Sequence, residues 1–204
     1  MLKPNGFSLI ELLVSVAIAM FLMLGITAFF MASSKASMDN VQATRVNNTL
    51  RAAVELMSRD IARAGYWRDS SLHIGPNYAN PFGAVAVSQY KTAGDCVVFA
   101  YDANSDGILD PAEYRGFRLN GTVIEMKVAG SAWQCDEGTW QALTPGLIKV
   151  ESLEFGLVSY GTASGTRTVV DRRVSITLSG SASGDSAVRQ NFDETINVRN
   201  DNIL

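Results

Sequence analysis

Histidine and cysteine are scarce in this 204-residue chain, with one and two copies. Its single histidine, His73, argues against a Ser-His-Asp triad and against a zinc site built from histidines, because both need imidazole as base or ligand. No pairing of a nucleophile with a base stands out elsewhere, so the chain is not expected to be an enzyme. The net charge is −3, and Lys and Arg form no cluster of the kind that binds nucleic-acid phosphates. Direct nucleic-acid binding is therefore not expected.

Charge is also missing from one long stretch near the start: no Asp, Glu, Lys or Arg occurs between Leu12 and Ser34. Residues 7–31 are apolar nearly throughout, and they are long enough to span a bilayer as a helix. A secretory signal has its cleavage site after the apolar core. Here the expected cut follows Gly6, ahead of the apolar run, so the run would remain on the mature protein as its N-terminal helix.

The helical pattern continues beyond Lys35 in amphipathic form. Gly65 follows the last periodic residues and suits the C-terminal cap of a helix. We therefore expect one continuous helix from about residue 7 to residue 64, of which only the second half can pack on a soluble domain. The apolar residues that recur at spacings of three and four predict one buried stripe, formed by Val46, Leu50, Ala53, Val54, Met57 and Ile61.

Short runs typical of β-strands follow Gly65. Asn120-Gly121 separates two of them and is a strong hairpin signal. Residues 180–186 are predicted to be a polar loop, and residues 66–84 an irregular connection. The predicted strands cover residues 95–101, 115–119, 122–128, 147–158, 174–178 and 192–198. The expected fold class is α+β, with the long N-terminal helix packed on a mostly antiparallel sheet.

The hexapeptide GFSLIE at residues 6–11 resembles the processing signature of type IV pilins and pseudopilins. This resemblance implies that a prepilin peptidase in the inner membrane cuts after Gly6 and methylates the new N-terminal residue, Phe7. The segment from Glu55 to Trp67 and the C-terminal Val198-Arg199-Asn200 are similar to the minor pilins called PilW. The expected fold is accordingly the pilin-like form of the α+β class.

Four parts of the chain are expected from the pattern and the resemblance together. Residues 1–6 are the cleaved leader, and residues 7–34 are the apolar helix of membrane insertion and assembly. Residues 35–65 are the amphipathic half of the same helix, and residues 66–204 are a β-rich globular head. Before assembly such a protein crosses the inner membrane once with its head in the periplasm, and afterwards it belongs to a fibre at the cell surface.

Glu11 is the candidate assembly residue. A carboxylate at the head of a membrane helix is costly, which makes it a functional candidate. The resemblance implies that this carboxylate pairs with the free α-amine of a neighbouring subunit, which here belongs to Phe7. The pairing would fix the axial stagger of the helices. The alternative is that Glu11 lies in the interfacial layer, where the helix dipole favours an anion.

Cys96 and Cys135 are the only cysteines. In an exported head they are expected to form one disulfide, because the periplasm is oxidising. The alternative is a pair of buried free thiols. The bridge would lie beside the calcium-type loop described next, since Cys96 begins the strand that enters the loop and Cys135 follows the next hairpin.

Residues 102–113 match the calcium-loop pattern D-x-[DN]-x-[DN]-G-x5-E without a mismatch. Gly107 permits the sharp turn that this pattern needs. The flanking residues favour strands, and Pro111 disfavours a helical Asp110, so we expect an EF-hand-like loop in a β context. The alternative is a solvated acidic turn. The expected calcium ligands are Asp102, Asn104, Asp106, the carbonyl of Ile108, Asp110 directly or through water, and Glu113 with both oxygens.

The function that the resemblance implies is that of a PilW-like minor pilin, which helps to prime pilus assembly near the tip. Its expected partners are other minor pilins, the major pilin, the prepilin peptidase and a tip adhesin, with motility, adhesion or DNA uptake downstream. One alternative is a pseudopilin of type II secretion, which has the same helix. Another is a membrane-anchored periplasmic calcium-binding protein that never assembles.

Overall fold

The computed structural model describes residues 8–72, 80–130, 133–164, 167–200 and 202–203. Its long helix, α1, spans Leu9–Ile61, close to the predicted residues 7–64. The helix ends in shorter turns, in which Arg63 N donates to Asp60 O. Gly65 then takes a φ of +78°, in the left-handed region that favours glycine, and its N–H donates to Ala100 O. The predicted cap at Gly65 is confirmed.

The chain divides into two compact units after Gln42. From Leu9 onwards, the described part of the first unit consists of α1 alone. Its large apolar side chains are exposed, among them Phe21 at 78% and Phe29 at 76%. This stretch is long and apolar enough to cross a membrane, and it is unburied within the structure. Such a helix needs lipid or partner helices around it.

The second unit contains the remainder of α1 and two antiparallel sheets, which confirms the α+β fold class. The first sheet has the strand order β1-β2-β3-β4-β5, with β1 Val85–Ser88, β2 Cys96–Ala100, β3 Tyr114–Asn120, β4 Val123–Ala129 and β5 Thr139–Ala142. The second sheet has the order β6-β7-β8, with β6 Ile148–Ser164, β7 Arg167–Ala182 and β8 Asp185–Asn197, while β9 Asn202–Ile203 also pairs with β7. Two short 3-10 helices span Arg68–Leu72 and Pro111–Glu113.

The core of this unit forms where α1 packs on both sheets. Every residue of the predicted stripe is buried, from Val46 to Ile61. The stripe packs in one cluster with inward-facing strand residues, which include Val97, Phe99, Phe117, Ile124, Leu153, Phe155, Val174, Ile176 and Leu178. These residues lie on strands of both sheets. The stripe therefore joins the two sheets into one hydrophobic core.

The predicted polar loop over residues 180–186 is wrong. β7 continues to Ala182, and only a tight turn separates it from β8. Gly180 lies inside β7, where a Cβ would stand 3.0 Å from Lys149 O and 3.1 Å from Leu50 Cδ1. This glycine therefore permits a close approach of strand and helix rather than a loop. The sequence also missed β1 and β5, which are both only four residues long.

Candidate functional site

Glu11, the candidate assembly residue, lies in the first turn of α1. Its Oε2 accepts a hydrogen bond of 3.3 Å from the backbone N–H of Ser8, and its side chain is exposed. This contact is half of a capping box, and a carboxylate at this end also suits the helix dipole. Gly6 and Phe7, the candidate cleavage and methylation residues, lie outside the described residues. Pairing of Glu11 with another subunit therefore stays a prediction.

Cys96 and Cys135 form a disulfide, as predicted, and both are buried. The bridge closes a loop of the chain across 39 residues, which includes residues 102–113. Ser88 Oγ lies 2.9 Å from Cys135 Sγ. Trp133, Trp140 and Tyr90 are partly buried and pack around the bridge. The disulfide is therefore the centre of a second, smaller core on the other face of the first sheet.

Two cations, Arg118 and Lys127, lie over aromatic rings of this smaller core. The Arg118 guanidinium lies 4.1 Å from the ring centroid of Tyr90 and 4.2 Å from that of Trp140. It also forms a salt bridge of 2.8 Å with Glu125. Lys127 is fully buried, and its Nζ donates to Gln134 O. Burial lowers the pKa of the Lys127 ammonium below its ordinary value, while the charge of Glu137 acts in the opposite direction.

Asp95, at the entrance to β2, is a buried carboxylate that the sequence did not single out. It accepts hydrogen bonds from the backbone N–H groups of Tyr90, Lys91 and Thr92, the last two at 2.8 Å. Burial alone would raise the pKa of Asp95, but these donors hold it below its ordinary value. The ionised form of this carboxyl therefore stabilises the turn before β2.

Residues 102–113 form a turn-rich loop between β2 and β3. Asn104 Oδ1 accepts from Asp106 N at 3.0 Å, and Asp106 Oδ1 accepts from Ile108 N at 2.8 Å. Gly107 has a φ of +78°, which only glycine adopts without strain, as the pattern predicts. Asn104 and Asp106 thus each cap the backbone two residues further on while their side chains stay exposed, and the Ile108 side chain is 69% exposed.

Two carboxylates of this loop, those of Asp102 and Glu113, are each only 1% exposed. Asp102 Oδ2 accepts from the backbone N–H of Gly107 at 3.2 Å, whereas Asp102 Oδ1 is buried and has no hydrogen-bond partner among the described residues. Burying an anionic oxygen without a partner is costly. The burial of Asp102 Oδ1 is therefore an unfavourable feature of this loop that no hydrogen bond from the described residues offsets.

Glu113 makes different contacts. Its Oε1 accepts from Ala103 N at 2.7 Å, and its Oε2 accepts from Asp110 N at 3.2 Å. With Asp110 Oδ1 accepting from Ala112 N, these bonds make a capping box at the short helix Pro111–Glu113. The last two predicted calcium ligands therefore also hold the backbone of the loop together.

The residues just after α1 pack on this loop. Asp102 N donates to Tyr66 O at 2.9 Å, and Arg68 N donates to Asp102 Oδ2 at 3.2 Å. Trp67 Nε1 donates to Gly107 O at 3.2 Å. Asp69 lies so close that a Cβ at residue 107 would stand 2.5 Å from its Oδ2. Asp69 is outside the linear pattern, so sequence reasoning could not place it here.

The loop supplies oxygen donors, which are the ligands that Ca²⁺ prefers. A Ca²⁺ ion takes six to eight of them. Among the residues that the structure describes, no three side chains of His, Cys, Asp or Glu already converge as a ligand set. A cation at Asp102 Oδ1 would require Glu113 or a neighbouring carboxylate to turn towards it. Calcium binding by this loop stays a prediction.

Comparison with known proteins gives two family matches, which together cover most of the chain. Residues 39–198 match the family model described as Prepilin peptidase-dependent protein B, and residues 1–27 match the Prokaryotic N-terminal methylation motif. A protein of Escherichia coli (strain K12), also named Prepilin peptidase-dependent protein B, is 29% identical over 158 residues, which cover 74% of this chain and 77% of that protein. No solved structure gives a significant match. The pilin-like prediction is confirmed, and the narrower PilW expectation stays a prediction.

Proposed function

This chain belongs to the family of prepilin peptidase-dependent protein B, and from that premise we propose that it works as a minor pilin of a type IV pilus. It is a type IV pilin-like protein with a prepilin-type methylation motif. In the proposed role, the peptidase cuts after Gly6, Phe7 is methylated, and the subunit enters the fibre through α1. There it helps to prime assembly, near the tip, together with other minor pilins.

The observation that carries this proposal is the exposed apolar stretch of α1. Side chains such as Phe21, Met23 and Phe29 are each more than two-thirds exposed. Because the methylation motif covers residues 1–27, processing would leave this stretch at the new N-terminus. An apolar helix with a free end can move from lipid to a bundle of similar helices, since both surroundings satisfy its surface. This exchange is what insertion into a fibre requires.

A pseudopilin of a type II secretion system is the second candidate function. The same methylation motif and the same exposed helix fit it equally well. The two functions differ in the structure that the subunit enters, and therefore in the activity that is lost with it. Partners such as the major pilin and a tip adhesin, and roles in motility, adhesion or DNA uptake, belong to the first candidate only.

A deletion strain complemented with the wild-type gene tests the proposal. Surface pili are sheared from the cells and quantified, and the activity of exported enzymes is assayed in the same cultures. A minor pilin that primes assembly predicts loss of pili, restoration by the gene and normal enzyme export. Normal pili with impaired export would instead support the pseudopilin, and no change in either would contradict both candidates.

The head is further proposed to bind Ca²⁺ in residues 102–113. The buried, unpartnered Asp102 Oδ1 and the oxygen-rich spacing support this site. Calorimetric titration of the full-length protein in detergent micelles measures binding directly. We expect one site in the wild type and none in Asp102→Ala, with Asp193→Ala, an exposed aspartate on β8, as the matched control. Absence of heat from the wild type in millimolar Ca²⁺ would reject the site.

A further inference from the structure

We infer that Asp69 supplies a carboxylate to this calcium site from outside the linear pattern, so that the bound cation ties the residues after α1 to the loop. We call residues 66–69 the exit segment, because they directly follow the end of α1 and its cap. The inference rests on the calcium-binding loop proposed above. It adds a ligand that the sequence pattern does not contain, and it gives the cation a mechanical role.

The contacts between the exit segment and the loop carry this inference. Backbone bonds run in both directions, since Asp102 N donates to Tyr66 O and Arg68 N donates to Asp102 Oδ2. Side chains add to them, with Trp67 Nε1 bonded to Gly107 O and Arg68 Nη1 bonded to Ser105 O. One side of the loop is therefore built against the exit segment.

Asp69 is the acidic side chain in this contact. Its Oδ2 lies against Gly107, at the position where a Cβ would be 2.5 Å away. The backbone N–H of the same Gly107 donates to Asp102 Oδ2. The carboxylates of Asp69 and Asp102 thus both contact Gly107, and a side chain at residue 107 would collide with the Asp69 carboxylate.

The hydrogen bonds of the loop leave few carboxylate oxygens available to a bound Ca²⁺, so a ligand from outside the loop would complete the site. Glu113, which closes the site in the linear pattern, has both carboxylate oxygens hydrogen-bonded to backbone N–H groups of Ala103 and Asp110. Asp102 Oδ1 is buried and unpartnered. The Asp69 carboxylate, which lies against Gly107, would add negative charge around a cation in this loop, and charge count is one of the factors that sets calcium affinity in such loops.

The consequence is a calcium-dependent attachment of the exit segment. With Ca²⁺ bound to both, the carboxylates of Asp69 and Asp102 are held on a common ion. The backbone bonds at Tyr66 and Arg68 then open less often, because opening them would also break a metal–ligand bond.

Full-length protein in detergent micelles allows a direct test, with Tb³⁺ as a luminescent calcium analogue. Trp67 touches the loop through Gly107 O and should sensitise Tb³⁺ emission. Competition by Ca²⁺ then gives the affinity. We expect Asp69→Asn to weaken Ca²⁺ binding by about tenfold or more, and the control Asp193→Asn to leave it unchanged. Trp67→Phe should remove most of the emission. Melting in chelator shows whether Asp69→Asn folds as the wild type does.

Hydrogen exchange measured by mass spectrometry provides the second readout. Ca²⁺ should slow exchange in peptides that contain residues 66–69 of the wild type, and this slowing should be lost in Asp69→Asn. The inference would be overturned, with the loop site left intact, if a folded Asp69→Asn bound Ca²⁺ with wild-type affinity. It would also be overturned if Ca²⁺ did not change the exchange rate of the exit segment in the wild type. No Tb³⁺ or Ca²⁺ binding by the wild type would reject the loop site, and the inference with it.

Discussion

Removing the disulfide between Cys96 and Cys135 should lower the free energy of unfolding of the head by about 4 kcal/mol. In the chain-entropy model, a cross-link across 39 residues lowers the conformational entropy of the unfolded chain, which destabilises the unfolded state by this free energy. For a chain of this size, about 2–4 °C of melting temperature corresponds to each kcal/mol, so a fall of about 8–16 °C is expected. Alanine is the suitable replacement at both positions, since Cys96 is 0% and Cys135 4% exposed and a serine hydroxyl would be buried there.

The assay is thermal unfolding of the full-length protein in detergent micelles, followed by tryptophan fluorescence. Trp133 and Trp140 pack beside the bridge and report on its surroundings. The double variant Cys96→Ala/Cys135→Ala and the reduced wild type should melt together, well below the oxidised wild type. Ser88→Ala is the matched control, since its hydroxyl contacts Cys135 Sγ but makes no cross-link. It should cost no more than about 1 kcal/mol.

The outcome that refutes this reasoning is a double variant that melts within about 2 °C of the oxidised wild type, which is less than the effect of a single kcal/mol. That result would mean that the core cluster of α1 and the two sheets alone sets the stability of the head. A difference between the double variant and the oxidised wild type that disappears when both are melted in the same Ca²⁺ concentration would also contradict it, because the entropy of the unfolded chain does not depend on the cation.

Three further predictions concern separate parts of the chain. Met57→Ala, at a fully buried position of the stripe, should cost about 2–5 kcal/mol in denaturant unfolding, whereas Met38→Ala, 63% exposed on the same helix, should cost almost nothing. The folded pKa of Asp95 lies below its ordinary value of 3.8. The ionised carboxyl therefore stabilises the fold above pH 3.8, and this stabilisation is lost as the pH falls through the folded pKa. The stability of Asp95→Asn should accordingly change less between pH 7 and pH 3 than that of the wild type. Glu11→Ala should be cleaved after Gly6 as the wild type is but be depleted from sheared fibres on immunoblots, and equal incorporation would remove Glu11 from the assembly mechanism.

The helix and its stripe could be predicted from the sequence because their signals are local. The spacing of Val46, Leu50 and Met57 has the period of a helix face, and the end at Gly65 needs only a left-handed backbone. The hairpin at Asn120-Gly121 and the pairing of the cysteines were also predicted, since one depends on a two-residue turn and the other on there being two cysteines.

Other features depend on contacts between distant parts of the chain, which the sequence does not state. Gly180 has the sequence signal of a loop, but it pairs with β6 and β8 as a strand residue, and Leu50 on α1 lies close to where its Cβ would stand. Asp69 has no periodicity or spacing that links it to Gly107. In the loop itself, the sequence gives the donor types, whereas the hydrogen bonds of Glu113 to backbone N–H groups appear only in the folded structure.

We propose that this chain is processed after Gly6 and enters a fibre. Mass spectrometry of sheared surface fibres from the native host tests it most directly, through the N-terminal peptide of this chain. We expect a peptide that begins with N-methylated Phe7 in the fibre fraction, at low abundance relative to the major subunit. Detection of the chain only in the inner membrane, with residues 1–6 still attached, would contradict it.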